Sequence, residues 1–282
     1  MNIKILGISG SPRKNGNTDY MVQLALLAAS QIKGVETEFI RLADYKYLSG
    51  CVACGRCDRD PSLEKLCVGV KDDHNLILKK EIEANGFIWG CPVYFSGLTA
   101  QFKMWIDRHE CIDLGSQPLR NKPVGFLTIG ACRSGGQAQT IEDMMRPAMM
   151  MDMIPIGAGA VNSAQASAGI HGACAIQPGW PETNGKDILG KDAKTWVRYD
   201  RLALQNCIVI GERVAEMAKV IEAGFTLVNP ENGETRWPVH TLSDDQACLD
   251  LVKEYEDTLK IPKIVRKGSI LTYQPFIDSE EA

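Results

Sequence analysis

No stretch of this 282-residue chain approaches the roughly 18 uncharged apolar residues of a bilayer span. The best candidate, Ala148 to Val161, is broken by Asp152 and Pro155, so no membrane insertion is expected. The opening MNIKILGISGSP has one Lys and a short apolar run, without the n-region, h-region and cleavage site of a secretory signal. A cytoplasmic protein is therefore expected. Charge of one sign is also missing: 31 Lys+Arg against 35 Asp+Glu give −4, with no run of like charges. Nucleic acid is accordingly not an expected partner. There is no internal repeat, no low-complexity tract, no G-x-G-x-x-G and no G-x-x-x-x-G-K-[ST], which removes Rossmann dinucleotide and nucleotide triphosphatase readings. What is present is an ordinary globular composition, 45% hydrophobic and 23% charged, able to fill a substantial core. Ten Cys in a reducing compartment are poor disulfide material and read better as ligands or redox groups.

Ile3 to Ile8 reads as a strand running into the Gly/Ser/Pro-rich segment Ser9 to Asn17. From Thr18 the apolar positions Met21, Leu24, Ala25, Ala28 and Ile32 recur at helical spacing, with Gly34 as a stop and Val35 to Ile40 as a second strand. This is the βαβ opening of a parallel sheet. A cysteine-rich loop, 44–72, leads to a helix near Asp73 to Ala84 and a strand Gly86 to Cys91. Leu98, Phe102, Trp105 and Ile106 then share a helical face, and Val124 to Ile129 is a strand. A helical segment runs to about Met150, and Met153 to Ala158 is the fifth strand. Residues 161–192 lack periodicity and read as a long insertion before a helix from Lys194 to Ala223. The expected organisation is a domain over 1–223 and a C-terminal extension over 224–282, packed on the core or a partner subunit. The extension holds a helix opening at Ser243 with Gln246 as its capping-box partner, and an extended end from Ile270 to Phe276.

Three loops follow consecutive strands at the end where doubly wound sheets bind ligands. The first, Ser9 to Thr18, has the outline of an anion site: a helix N-terminus, hydroxyls on Ser9, Ser11 and Thr18, and the charge of Arg13. A tight turn capped by Asn17 is the plainer alternative. The second, Pro92 to Gly97, offers Tyr94 and Phe95 as flat apolar surface, although either could be core. The third, Gly130 to Gly136, includes Cys132. In the insertion, His171 and Cys174 could form a proton-donor pair. Cys91 and Cys111 read most simply as small buried hydrophobes. His74, His109 and His240 have no partner that the sequence identifies.

With GISGSPRKNGNT, the Cys-rich loop, GCPVYFSG, FKMWIDR and the Gly-Gly loop, residues 1 to 160 resemble the flavodoxin-like NADPH-dependent FMN reductases, and within them the iron-sulfur flavoproteins. The resemblance implies a flavodoxin-like, doubly wound, five-stranded parallel α/β sheet. It implies that Ser9, Ser11, Arg13, Asn17 and Thr18 hold the FMN phosphate. Pro92, Val93, Tyr94, Phe95, Ser96 and Gly97 would line the isoalloxazine, with Ala131 and Gly135 in the loop that closes over it. It further implies a homodimer or homotetramer, to which the FKMWIDR helix contributes, and ferredoxin or a similar carrier as electron donor.

The sharpest signal is Cys51-x2-Cys54-x2-Cys57-x9-Cys67. Three closely spaced thiolates can turn inward around one cuboid and a fourth can complete a 4Fe-4S site, whereas zinc sites favour two separated pairs. Thiols without metal remain the alternative. Iron-sulfur flavoproteins place the fourth Cys after a shorter gap than the nine residues found here. The leading expectation is an FMN-dependent oxidoreductase with a 4Fe-4S cluster, passing electrons between a one-electron carrier and a small-molecule acceptor. Two alternatives stay open: an NAD(P)H-dependent FMN or quinone reductase with a structural cysteine loop, and a non-catalytic flavin redox sensor.

Overall fold

The computed structural model describes residues 2–46, 49–59, 64–113, 117–132, 134–159, 169–176 and 197–228, with the backbone of 264–267 and 270–273. Its centre is a parallel sheet of β1 (Ile3–Ser9), β2 (Val35–Arg41), β3 (Gly86–Pro92), β4 (Pro123–Gly130) and β5 (Ile154–Ile156), ordered β2-β1-β3-β4-β5. The chain reverses direction of winding between β1 and β3, and the loops leaving these two strands flank that switch point.

The two-residue strand period sorts the apolar side chains to opposite faces. Ile3 and Ile5 of β1 join one core, with Ile88 and Leu127 from its neighbours. Leu6 and Ile8 join the other, with Phe87, Trp89, Val124 and Phe126. The first core is covered by α1 (Asn17–Ser30), through Met21, Val22 and Ala25, and by the long α2 (Arg201–Val228), through Ile210 and Val214. These helices cross so closely that a Cβ on Gly211 would overlap the carbonyl oxygen of Ala25. The second core is covered by α3 (His74–Glu83), α4 (Ala100–Ile106) and α5 (Gln137–Met150). Two single-turn helices bear on the cysteine-rich loop: Arg56–Arg59 lies within it and carries Cys57, and Glu110–Asp113 carries Cys111.

The structure departs from the sequence expectation at the sheet edge. β5 is confined to three residues and pairs only with the start of β4, Pro123 to Gly125. Pro155 at its centre has no N–H to donate. The upper part of β4, Leu127 to Gly130, instead pairs in parallel with β6 (Ala173–Ile176), a sixth strand drawn from the segment expected to be an aperiodic insertion. Four residues, ACAI, are too short to show a period. The long helix begins at Arg201 and continues past Ala223 to Val228.

The chain divides into two compact units, Met1–Val228 and Asn229–Ala282. In the second, β7 (Ile264–Lys267) and β8 (Ile270–Tyr273) form an antiparallel hairpin with Ile264 opposite Tyr273. The helix expected from Ser243, His240 and most of the insertion lie outside the described residues. Among those residues, no helix is long and apolar enough to cross a membrane.

Candidate functional site

The first loop is pinned to its neighbours by the backbone. Gly10 N donates to Gly90 O at 2.8 Å, and Thr99 Oγ1 donates to Gly10 O at 2.7 Å. Below it lies a buried ionic knot. Asp19 Oδ1 accepts from Ser9 Oγ at 2.6 Å, while Oδ2 accepts from Arg41 Nε at 2.7 Å and Asn15 N at 2.8 Å. Arg41 also donates to Asp44 at 2.5 Å. The hydroxyl of Ser9 is thus directed inward to Asp19. Ser11 Oγ accepts from Arg13 N at 3.1 Å, and Asn17 Oδ1 accepts from Val197 N at 3.1 Å. Ser11, Asn17 and Thr18 are buried and Arg13 is exposed. The N-cap of α1 is Gly16, which has no side chain to satisfy the first-turn N–H groups. A phosphate suits such an end.

The second loop is a tight turn. Tyr94 N donates to Gly97 O at 3.0 Å and Gly97 N to Tyr94 O at 3.1 Å, with Phe95 and Ser96 both left-handed at φ 47° and 63°. Two consecutive positive φ values without glycine are costly, and they leave the Phe95 ring fully exposed. Pro92 is buried and Val93 N is tied to Ile129 O at 2.9 Å. The third loop meets the second at Gly136, where φ is +111° and a Cβ would lie 2.6 Å from Ser96 Cα. Gln137 braces it, accepting from Gly135 N at 2.9 Å and donating to Cys132 O at 2.6 Å. Ala131 and Cys132 are exposed; Arg133 lies outside the described residues. The three loops therefore lie side by side at the carboxyl ends of their strands, with a bare helix N-terminus and an exposed aromatic turn among them. His171 is exposed, whereas Cys174 is mostly enclosed in β6 opposite Thr128, its thiol pushed up to about 11 by burial. That makes Cys174 a reluctant acid.

The cysteine-rich loop closes a separate cavity of about 260 Å³. Cys51, Cys54, Cys57 and Cys67 all line it, together with Arg108 and Cys111. A Cβ on Gly69 would stand 2.7 Å from Cys54 Sγ, so the loop wraps its own thiol with no room for a larger residue. Among the described residues, no three His, Cys, Asp or Glu side chains converge on a single-ion site. Thiols arranged around a cavity suit a multi-iron cuboid better than one tetrahedral ion. Cys111 is buried as expected, yet it belongs to this cavity. Burial pushes its thiol up to about 12, with Cys67 and Cys57 adding to the effect, and it donates to Arg108 O at 3.2 Å.

Sequence reasoning missed the residue that organises this loop. Arg108 is buried and donates to Asp72 at 2.6 Å, Cys67 Sγ at 3.3 Å, Val70 O at 3.4 Å and Ser49 O at 3.5 Å. Burial opposes its charge, but Asp72 and Cys67 outweigh that and raise its pKa. Beneath it, Glu81 accepts from Trp105 Nε1 at 2.8 Å and faces His109 Nε2 at 2.7 Å. His74 Nε2 lies 3.3 Å from Arg108 O. The FKMWIDR segment, expected in an assembly surface, buries Phe102, Trp105 and Ile106 in its own core. Asp19 and Arg41 were also missed, because charges 22 residues apart carry no pattern, and Asp44, three residues after Arg41, was missed with them.

Residues 3–168, more than half of the chain, match the NADPH-dependent FMN reductase family model. An iron-sulfur flavoprotein of Methanocaldococcus jannaschii is 38% identical over 220 residues, covering 78% of this chain and 100% of that protein. Another, from Methanosarcina thermophila, is 36% identical over 155 residues, 55% of this chain and 78% of its own. Among solved structures, RosB with a bound 8-demethyl-8-formylriboflavin-5'-phosphate intermediate aligns over 99% of this chain and 98% of its own. Its TM-score is 0.53 at 18% identity, a likeness of fold. The fold and the family match together define a flavin-dependent oxidoreductase of the flavodoxin-like class. Within that class, the chain belongs to the iron-sulfur flavoproteins of the NADPH-dependent FMN reductase family.

Proposed function

We propose that this protein passes electrons between a one-electron carrier such as ferredoxin and a small-molecule acceptor, using FMN in the crevice and a 4Fe-4S cluster on Cys51, Cys54, Cys57 and Cys67. The observation that carries this reading is that all four cysteines line one cavity of about 260 Å³. When bound, a flavin exchanges one or two electrons and an iron-sulfur cluster one, so together they link single-electron carriers to two-electron chemistry.

The chain's own part is positional. The N-terminus of α1, with Ser11 and Arg13, would hold the phosphate. Thr18 lies behind that loop, while Ser9 and Asn17 support it through their internal bonds. Tyr94, Phe95, Ser96 and Gly97, with Pro92 and Val93 at their base, would present the turn against the ring. Ala131 and Gly135 belong to the loop opposite, held by Gln137. A homodimer or homotetramer in the reducing interior of a cell belongs to the same reading.

The test is iron, acid-labile sulfide and FMN content per chain on anaerobically prepared protein, with spectra before and after dithionite. About four irons and one FMN are expected. FMN without iron would overturn the cluster and leave a hydride-accepting reductase, confirmed by rapid flavin reduction with NAD(P)H.

A further inference from the structure

Cys67 Sγ and the Asp72 carboxylate share one buried guanidinium, that of Arg108. Arg108 Nη2 lies 3.3 Å from Cys67 Sγ and Nη1 lies 2.6 Å from Asp72 Oδ2, with the side chains of Arg108 and Asp72 essentially sealed from solvent at 1% and 0% exposure. Arg108 Nε is buried and has no acceptor among the described residues. A purely structural brace would be an expensive choice here. Tying Ser49 and Val70 needs only a donor to two carbonyls, yet the fold buries a full charge and strands one of its N–H groups.

We propose that Arg108 is a positioning residue that acts through Cys67 to raise the reduction potential of the cluster, with Asp72 as the opposing charge that limits the effect. The inference rests on the cluster reading above. Reduction adds one electron and hence one negative charge, and no bond at Cys67 forms or breaks. A fixed positive charge that donates an N–H to the ligating sulfur stabilises the more negative state. Little water screens it at a buried site. Asp72 has the opposite sign and acts through the same guanidinium. Arg108 and Asp72 therefore have effects of opposite direction on one measurable quantity, which a role confined to folding the loop does not produce.

The experiment is a dithionite titration with mediators, followed by the electron paramagnetic resonance of the reduced cluster, on wild type, Arg108→Gln, Arg108→Lys and Asp72→Asn. Iron is counted in each. Arg108→Gln is expected to lower the equilibrium constant for reduction at least tenfold, which is 59 mV for one electron. Arg108→Lys retains the charge without the planar fork and should fall less. Asp72→Asn should rise. Unchanged potentials in variants that retain full iron, or a shift of the same sign in Arg108→Gln and Asp72→Asn, would overturn the proposal and leave the cluster reading intact. Wild type without iron would instead remove the cluster reading.

A second measurement covers variants that fail to hold iron. In wild type labelled with 15N in the arginine guanidinium groups, pulsed resonance of the reduced cluster should show a nitrogen coupling that Arg108→Lys or, if that variant is empty, a label-free control lacks. No such coupling in labelled wild type would overturn the proposal, whatever the variants do.

Discussion

Arg41 and Asp19 form a buried ion pair, 2.7 Å from Nε to Oδ2, directly under the loop that leaves β1. The same carboxylate holds Ser9 and the backbone of Asn15, so one acidic side chain sets the shape of a loop whose own residues are mostly Gly, Ser and Asn. Asp19→Ala leaves the Arg41 charge enclosed without its main partner. A loss of about 3–5 kcal/mol is expected from urea unfolding, with FMN affinity at least tenfold weaker by fluorescence titration. Unaltered FMN affinity in a folded variant would show that the knot does not shape the phosphate loop.

Gly136 is where the second and third crevice loops touch. Its φ of +111° disfavours any side chain, and a Cβ would press on Ser96 backbone. Gly136→Ala should push the loops apart. The expected result is weaker FMN retention on gel filtration with the melting temperature of the apoprotein lowered by a few degrees, and full retention would refute the contact.

Phe95 occupies a left-handed position with its ring in solvent. Phe95→Gly removes the backbone strain and should stabilise the apoprotein by about 1 kcal/mol. It also removes the ring offered to a flavin. Lower FMN affinity together with a more stable apoprotein is the expected pair; higher stability with unchanged affinity would show that the ring does not contact the cofactor.

His74 sits fully buried, its pKa lowered to about 3 by burial first, then by His109 and Arg108, with Asp72 opposing. An unfolded histidine titrates near 6.5. Between about 3 and 6.5 the unfolded chain therefore binds a proton that the folded chain refuses, and stability falls as the pH falls. The contribution is complete above about 6.5, with a slope of up to about 1.4 kcal/mol per pH unit below it. Urea midpoints from pH 4 to 7 should show a shallower slope for His74→Gln; an identical slope would assign the acid sensitivity elsewhere.

Gly211 marks the crossing of α1 and α2. Gly211→Ala meets the Ala25 carbonyl, a rigid backbone atom, so a loss of about 2–3 kcal/mol or more is expected in chemical denaturation. A neutral result would mean that the helices slide apart without cost.

The period of apolar residues was enough to place five parallel strands and most of the covering helices, because burial on two sheet faces demands those patterns. The Cys spacing marked four thiols as one group, and the structure brings them to one cavity. The sixth strand was not legible, since four residues carry no period and their pairing depends on the part of β4 that β5 leaves free. On α1, Met21, Ala25 and Ala28 are buried as expected and Leu24 and Ile32 pack partly buried against the same core, but Val22 and Leu26, which face Gly7 and Gly90 of the sheet, were not anticipated.

By itself, the sequence determined the chemistry on offer, a glycine- and hydroxyl-rich loop before a helix, an aromatic turn, and a cluster of thiols. Those depend on residue type and local spacing, which the chain states directly. The tertiary structure decided which buried polar groups meet. Asp19 with Arg41, Glu81 with His109, and Arg108 with both Asp72 and Cys67 are joined across 22 to 41 positions. The physical reason is that a buried charge is tolerable only beside its partner, and partners are chosen by the packing of whole strands and helices, which no local pattern records.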